Sequence, residues 1–96
     1  MAEPIFEIDV EIKNANGLHM RPAMKFVEVA SKFECDIKVS NSNTTADAKS
    51  IMQMTMLAAL CGSVLKITAQ GTDAKEAIAT LHELIEQEIF WGDAEV

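Results

Sequence analysis

Residues 5–12, Ile-Phe-Glu-Ile-Asp-Val-Glu-Ile, alternate between apolar and acidic positions. Phe6, Ile8, Val10 and Ile12 share one side and Glu7, Asp9 and Glu11 the other, as in a strand with one buried and one solvated face. After a loop over Lys13–Gly17 the period lengthens. Ala23, Phe26, Val27 and Ala30 recur at helical spacing, which predicts a helix from about Met20 to Lys32 packed on a sheet. Alternation returns over Asp36–Ser40, with Ile37 and Val39 inward. Asn41-Ser42-Asn43 is turn-forming, because these short polar side chains bond back to the backbone, and Thr44–Asp47 completes a hairpin. Ser50 and Gln53 fit a capping box that opens a short helix from Ile51 to about Ala58. Met54 and Leu57 of that helix face the core, and Ile51, Met52 and Thr55 lie on another face. Gly62 ends the stretch. Val64–Gln70 alternates as a fourth strand, with Leu65, Ile67 and Ala69 opposed to Lys66 and Thr68. Gly71-Thr72-Asp73 turns, and Asp73 with Glu76 forms a second cap-like pair. The last helix spans about Ala74 to Ile89 and buries Ala77, Ile78, Leu81, Leu84 and Ile85, with His82 at the margin of that face.

The order strand, helix, strand, strand, helix, strand, helix predicts an α+β domain with three helices on one face of a four-stranded antiparallel sheet. Residues 1–96 read as one domain with its core at about 5–89 and a short tail from 90 to 96. Phe90 and Trp91 in that tail either cap the core or form an accessory contact. There is no internal repeat or linker.

Length and charge narrow the function. A chain of 96 residues supports a single modest core. No apolar run is long enough to span a membrane, so a soluble protein without membrane insertion is expected. Met1-Ala2-Glu3-Pro4 lacks the basic and apolar regions of a signal peptide, which points to the cytoplasm. A net charge of -7 argues against nucleic acid as a partner. Cys35 and Cys61 have no metal-ligand spacing around them and read as reduced packing residues, with redox sensitivity at Cys61 as the alternative. No cofactor is implied.

The candidate chemistry lies in Asn16-Gly17-Leu18-His19-Met20-Arg21-Pro22-Ala23. Proline is tolerated in the first turn of a helix, so Pro22 reads as an early helical position and His19 as a residue at or just before the cap. Unpaired backbone N–H groups and the positive end of the helix dipole disfavour imidazolium there, leaving a neutral nucleophile near neutral pH. A phosphoryl group on that ring would meet the same donors and the guanidinium of Arg21. Gly17 permits an unusual backbone angle just before the site. Position alone fits equally a surface histidine in a helix-entry loop. Met20 and Met24, four apart, either edge the core or form an adaptable contact surface for several partners.

Gly-Leu-His-x-Arg-Pro-Ala resembles the active-site signature of HPr, the histidine-containing phosphocarrier family of the bacterial phosphotransferase system. Ala48-Lys49-Ser50-Ile51-Met52 resembles that family's regulatory-serine segment and lies at the family's usual distance from the histidine. The element order matches from about residue 5 to 89. The resemblance implies an open-faced β-sandwich and a phosphorylated carrier rather than a turnover enzyme. It implies that His19 accepts a phosphoryl group on Nδ1 from phospho-enzyme I and passes it to a histidine of an enzyme IIA domain. Arg21 would assist, with Asn16 and Gly17 supporting the phosphate, and Ile51, Met52 and Thr55 would dock partners, beside Met20 and Met24. Ser50 would be the target of an HPr kinase/phosphorylase, although a capping serine needs no further role. A monomer is expected. Met20 departs from the small or hydroxyl residue common after the histidine, and Gln53 and Ala58 stand where glycine is frequent. These departures bear on the serine switch more than on the histidine chemistry. A regulatory binding module of the same fold, or a carrier in a nitrogen-related phosphorelay, is the alternative reading.

Overall fold

The computed structural model of the chain describes residues 4–12, 20–57 and 64–86, apart from the side chains of Met20 and Arg21. The elements are β1 (Ile5–Glu11), α1 (Met20–Ala30), β2 (Asp36–Ser40), β3 (Thr45–Asp47), α2 (Ile51–Met56), β4 (Val64–Gln70) and α3 (Ala74–Glu86). The strands form one antiparallel sheet in the order β1-β4-β2-β3, so the fourth strand of the chain lies between the first and second. This is the α+β architecture that the alternation predicts.

Register assigns the faces. Ile8 pairs with Ile67 and Val10 with Leu65 across β1 and β4. Val39 stands opposite Ile67 on one side and Ala46 on the other, and Ile37 opposite Ala69. One apolar face therefore runs across all four strands. Ala23, Phe26 and Ala30 of α1, Met54 of α2, and Ala77, Ile78, Leu81 and Ile85 of α3 complete the core with it. The opposite face carries Glu7, Asp9, Lys66 and Lys38, with Lys66 Nζ 3.7 Å from Glu7 Oε1.

Several local expectations shift. Phe6 lies on the inward side of β1 but is exposed: along that side burial grows from Phe6 through half-buried Ile8 to buried Val10, while Ile5 is exposed on the opposite side with Glu7 and Asp9. Helix α1 ends at Ala30 instead of Lys32. The N–H groups of Lys32 and Phe33 bond three residues back, to Val29 and Ala30, which tightens the last turn out of the α-helix. Leu57 closes α2, its N–H shared between the carbonyls of Gln53 and Met54. Its own carbonyl accepts Asn41 Nδ2 at 3.3 Å. Asn41 also fixes the hairpin turn, where its Oδ1 accepts the N–H groups of Asn43 and Thr44. Leu84 is half-buried and His82 is exposed, 3.7 Å from Glu86. The expected ends of the last two helices, Ala58 and residues 87–89, lie outside the described residues, as do Cys61 and the tail with Phe90 and Trp91.

The second cap-like pair does not form as expected. Asp73 turns its carboxylate away from α3 and accepts the backbone N–H groups of Glu34 and Cys35 at 2.8 and 2.9 Å. Gly71 beside it has a φ of 146°, and a Cβ there would lie 2.7 Å from the Cβ of Cys35. The turn before α3 is thus pressed against the loop that follows α1. Cys35 is a buried free thiol.

Candidate functional site

Helix α1 starts at Met20, the residue that follows His19 in the chain, and its first turn has no acidic side chain. No carboxylate within that turn offsets the positive end of the helix. Pro22 is the third helical residue, where it removes no intrahelical hydrogen bond, and it is fully buried beside Ala23. This burial pins the first turn against the core. Arg21 is the second helical residue. Asn16, Gly17 and His19 lie outside the described residues, as do the side chains of Met20 and Arg21.

Ser50 stands at the N-cap of α2 with extended backbone angles, φ -113° and ψ 113°, and its Oγ accepts the Gln53 N–H at 3.3 Å. Only this half of the capping box forms. Gln53 Oε1 accepts the Asp47 N–H at 2.8 Å instead of the Ser50 N–H, which donates to the Asp47 carbonyl at 3.0 Å. Asp47 Oδ1 accepts the Lys49 N–H. Lys49 Nζ reaches the carbonyl of Phe33 at 2.7 Å, tying the serine segment to the chain just past α1. Local spacing did not reveal that long-range bond.

The expected contact residues are largely at the surface. Met24 on α1 and Ile51 and Met52 on α2 are exposed, whereas Met54 and Leu57 point into the core, as predicted. Thr55 is half-buried and its Oγ1 donates to the Met52 carbonyl at 2.9 Å. Met56 is also exposed. It stands four residues from Met52, a spacing that places the two on one side of the helix. Helices α1 and α2 pack against each other, so the exposed side chains sit on adjoining elements.

A family model described as "PTS HPr component phosphorylation site" matches residues 6–87. This chain belongs to the HPr family. The phosphocarrier protein HPr of Vibrio cholerae serotype O1 is 42% identical over 83 residues, 86% of this chain and 98% of that protein. The crystal structure of HPr-C-His from Thermoanaerobacter tengcongensis is 45% identical, with a TM-score of 0.81 over 92% of this chain and 97% of that one. An HPr dimer from the same organism is 48% identical, with a TM-score of 0.70 over 84% of this chain and 92% of that one. Family membership makes the chain an HPr phosphocarrier of the phosphotransferase system, a carrier by family name and not a turnover enzyme. Because an HPr relative is described as a dimer, the expectation of a monomer does not follow from membership. No helix among the described residues is long and apolar enough to cross a membrane.

Proposed function

We propose that His19 is the phosphoryl acceptor, taking the group from a phosphohistidine of enzyme I and delivering it to a histidine of an enzyme IIA domain in the cytoplasm. The observation that carries this reading is the start of α1 at Met20, directly after His19 in sequence, with no carboxylate in its first turn. An imidazole at such a position is held neutral, so a ring nitrogen, Nδ1 by family resemblance, has a free lone pair for in-line attack on phosphorus. The new N–P bond forms as the donor's N–P bond breaks, and the donor imidazole leaves with the electron pair. The transferred group then faces unpaired helix N–H donors and the guanidinium of Arg21, with the Asn16-Gly17 loop as further support. Histidine serves as donor and acceptor at each step, so transfer requires positioning and charge stabilisation with no steep fall in energy. Met24, Ile51, Met52, Met56 and Thr55, with Met20, form the docking surface for both partners. Ser50, at the edge of that surface, is the site for an HPr kinase/phosphorylase.

Incubation with enzyme I and phosphoenolpyruvate, followed by intact mass, tests this. One phosphoryl group, labile in acid and stable in base, is expected on the wild type and none on His19→Ala. Equal labelling of the two proteins overturns the assignment.

A further inference from the structure

Four large apolar side chains are exposed on the described parts of the helices, and three of them are methionines: Met24 (55%), Met52 (70%) and Met56 (73%), beside Ile51. The fourth described methionine side chain, Met54, is 1% exposed in the core. Leucine or isoleucine would supply the same apolar contact with no reactive atom. A thioether sulfur is a soft nucleophile, and solvent access governs which methionines in a fold are oxidised. We propose that this face is an oxidant-sensitive site, at which conversion of Met24, Met52 and Met56 to sulfoxides switches off docking of the carrier to enzyme I. The proposal rests on the docking role argued above.

The chemistry requires a hydroperoxide, which we name as the oxidant. The methionine sulfur attacks the terminal peroxide oxygen, and the S–O bond forms as the O–O bond breaks. The proton of the transferred oxygen passes to the departing one, which leaves as water from hydrogen peroxide or as an alcohol from an organic hydroperoxide. The sulfur is oxidised by two electrons and the peroxide is reduced. Each event turns a flexible apolar tip into a polar, strongly hydrogen-bonding one. A sulfoxide then has to be stripped of water before it can enter an apolar contact, so docking weakens while the buried core is untouched. Met52 and Met56 sit one helical turn apart on α2, and α2 packs on α1, which carries Met24. Oxidation therefore alters exposed points on two helices that pack together. Cys35 does not compete for the oxidant, because its thiol is buried and its pKa is raised to about 11, leaving almost no thiolate.

The full chain is treated with graded hydrogen peroxide, mapped by peptide mass, and assayed for the rate of phosphoryl transfer from phospho-enzyme I. The expected result has three parts. Oxygen appears at Met24, Met52 and Met56 before Met54. The transfer rate at sub-saturating carrier falls by about tenfold or more, the scale of one lost apolar anchor. A methionine sulfoxide reductase restores it. The variant Met24→Leu/Met52→Leu/Met56→Leu, compared with its own untreated rate, should lose far less of its rate to peroxide than the wild type does. Circular dichroism of the oxidised chain should retain the native signal, which separates loss of docking from loss of fold. An undiminished rate after oxidation of the three residues overturns the proposal, as does an equal peroxide loss in the leucine variant. If the untreated chain accepts no phosphoryl group, the functional reading itself fails and takes this inference with it.

Discussion

The carboxylate of Asp73 accepts the backbone N–H of Cys35 at 2.9 Å, from 38 residues away in the chain. With the second bond to the Glu34 N–H, it clamps the turn before α3 to the loop after α1. These bonds favour the ionised carboxylate. The Glu34 N–H, then the Cys35 thiol, hold Asp73 below its ordinary value of 3.8. A carboxylate depressed in the folded state stabilises above its unfolded pKa and loses that contribution as pH falls through the folded one. Asp73→Asn should therefore be less stable than wild type at neutral pH, and the gap should narrow as the medium is acidified below pH 3.8. Urea midpoints across that range measure it. A gap independent of pH would show that the charge of Asp73 is not what the clamp uses.

The thiol of Cys35 responds in the opposite direction. Burial first, and then the hydrogen bond and charge of Asp73, push it from 9.0 to about 11. A raised folded pKa gives stability that is complete below the unfolded pKa and is lost as pH rises through the folded one. Wild type should lose on the order of 2 kcal/mol between pH 9 and 11 that Cys35→Ser keeps. The chain has no tyrosine, so no phenol titrates in the same window. Parallel alkaline unfolding curves for the two proteins would refute the shift.

Gly71 should tolerate no side chain. Its φ of 146° disfavours any L residue, and an added Cβ meets both Cβ and Cα of Cys35, at 2.7 and 2.9 Å. Gly71→Ala is expected to cost at least about 2 kcal/mol in urea unfolding. Cys35→Ala should not rescue it, because the backbone overlap persists.

Arg21→Ala should slow transfer to and from His19 by roughly a hundredfold, the scale of one donor lost from a developing charge. Alanine is a strong helix former, so circular dichroism should show α1 retained. Arg21→Lys should recover only part of the rate, since an ammonium cannot spread donors over several phosphate oxygens. Stopped-flow transfer from phospho-enzyme I reads both variants, and an unaltered rate in the alanine variant would make Arg21 a bystander.

Ser50 separates into two measurable roles. As a cap, its loss in Ser50→Ala should cost about 1 kcal/mol of stability. As a modification site, its phosphate would be welcomed by the N–H groups of α2 and would instead harm the neighbouring contact surface at Ile51 and Met52. Phosphorylation by a purified HPr kinase should weaken enzyme I binding with little change in thermal midpoint. A chain that the kinase leaves unmodified would keep Ser50 as a cap alone.

Periodicity made most of this architecture legible. Ile37 and Val39, or Leu65, Ile67 and Ala69, can face only one way in an antiparallel sheet, and all five are buried. Where local reading went astray, a distant group had won. A capping box assumes that Gln53 turns back to the Ser50 N–H, yet the end of β3 offered the Asp47 N–H. The pairing of Asp73 with Glu76 assumes a cap within α3, but the Glu34 and Cys35 donors lie closer to hand in three dimensions. Phe6 looked inward because alternation reports which side of a strand a residue is on, and cannot report how far the covering helices extend. His19 and Arg21 were legible as candidates through their motif, and the exposure of Met52 was legible through its helical face. Met56 had the same spacing signal, and Lys49 had none, since its partner, the Phe33 carbonyl, is 16 residues away.

The strand order also governs how the chain assembles. Only β2 and β3 are neighbours both in sequence and in the sheet, so this hairpin is the one pairing that a nascent polypeptide can complete locally. The first strand must wait for β4, with Ile5 finally opposite Gln70. Until a ribosome has released that segment, the apolar side of β1 has no neighbour to pair with. Closing so long a loop makes docking of β4 between β1 and β2 the late, entropically demanding event, and a chaperone at the exit tunnel would meet β1 while it is still unpaired.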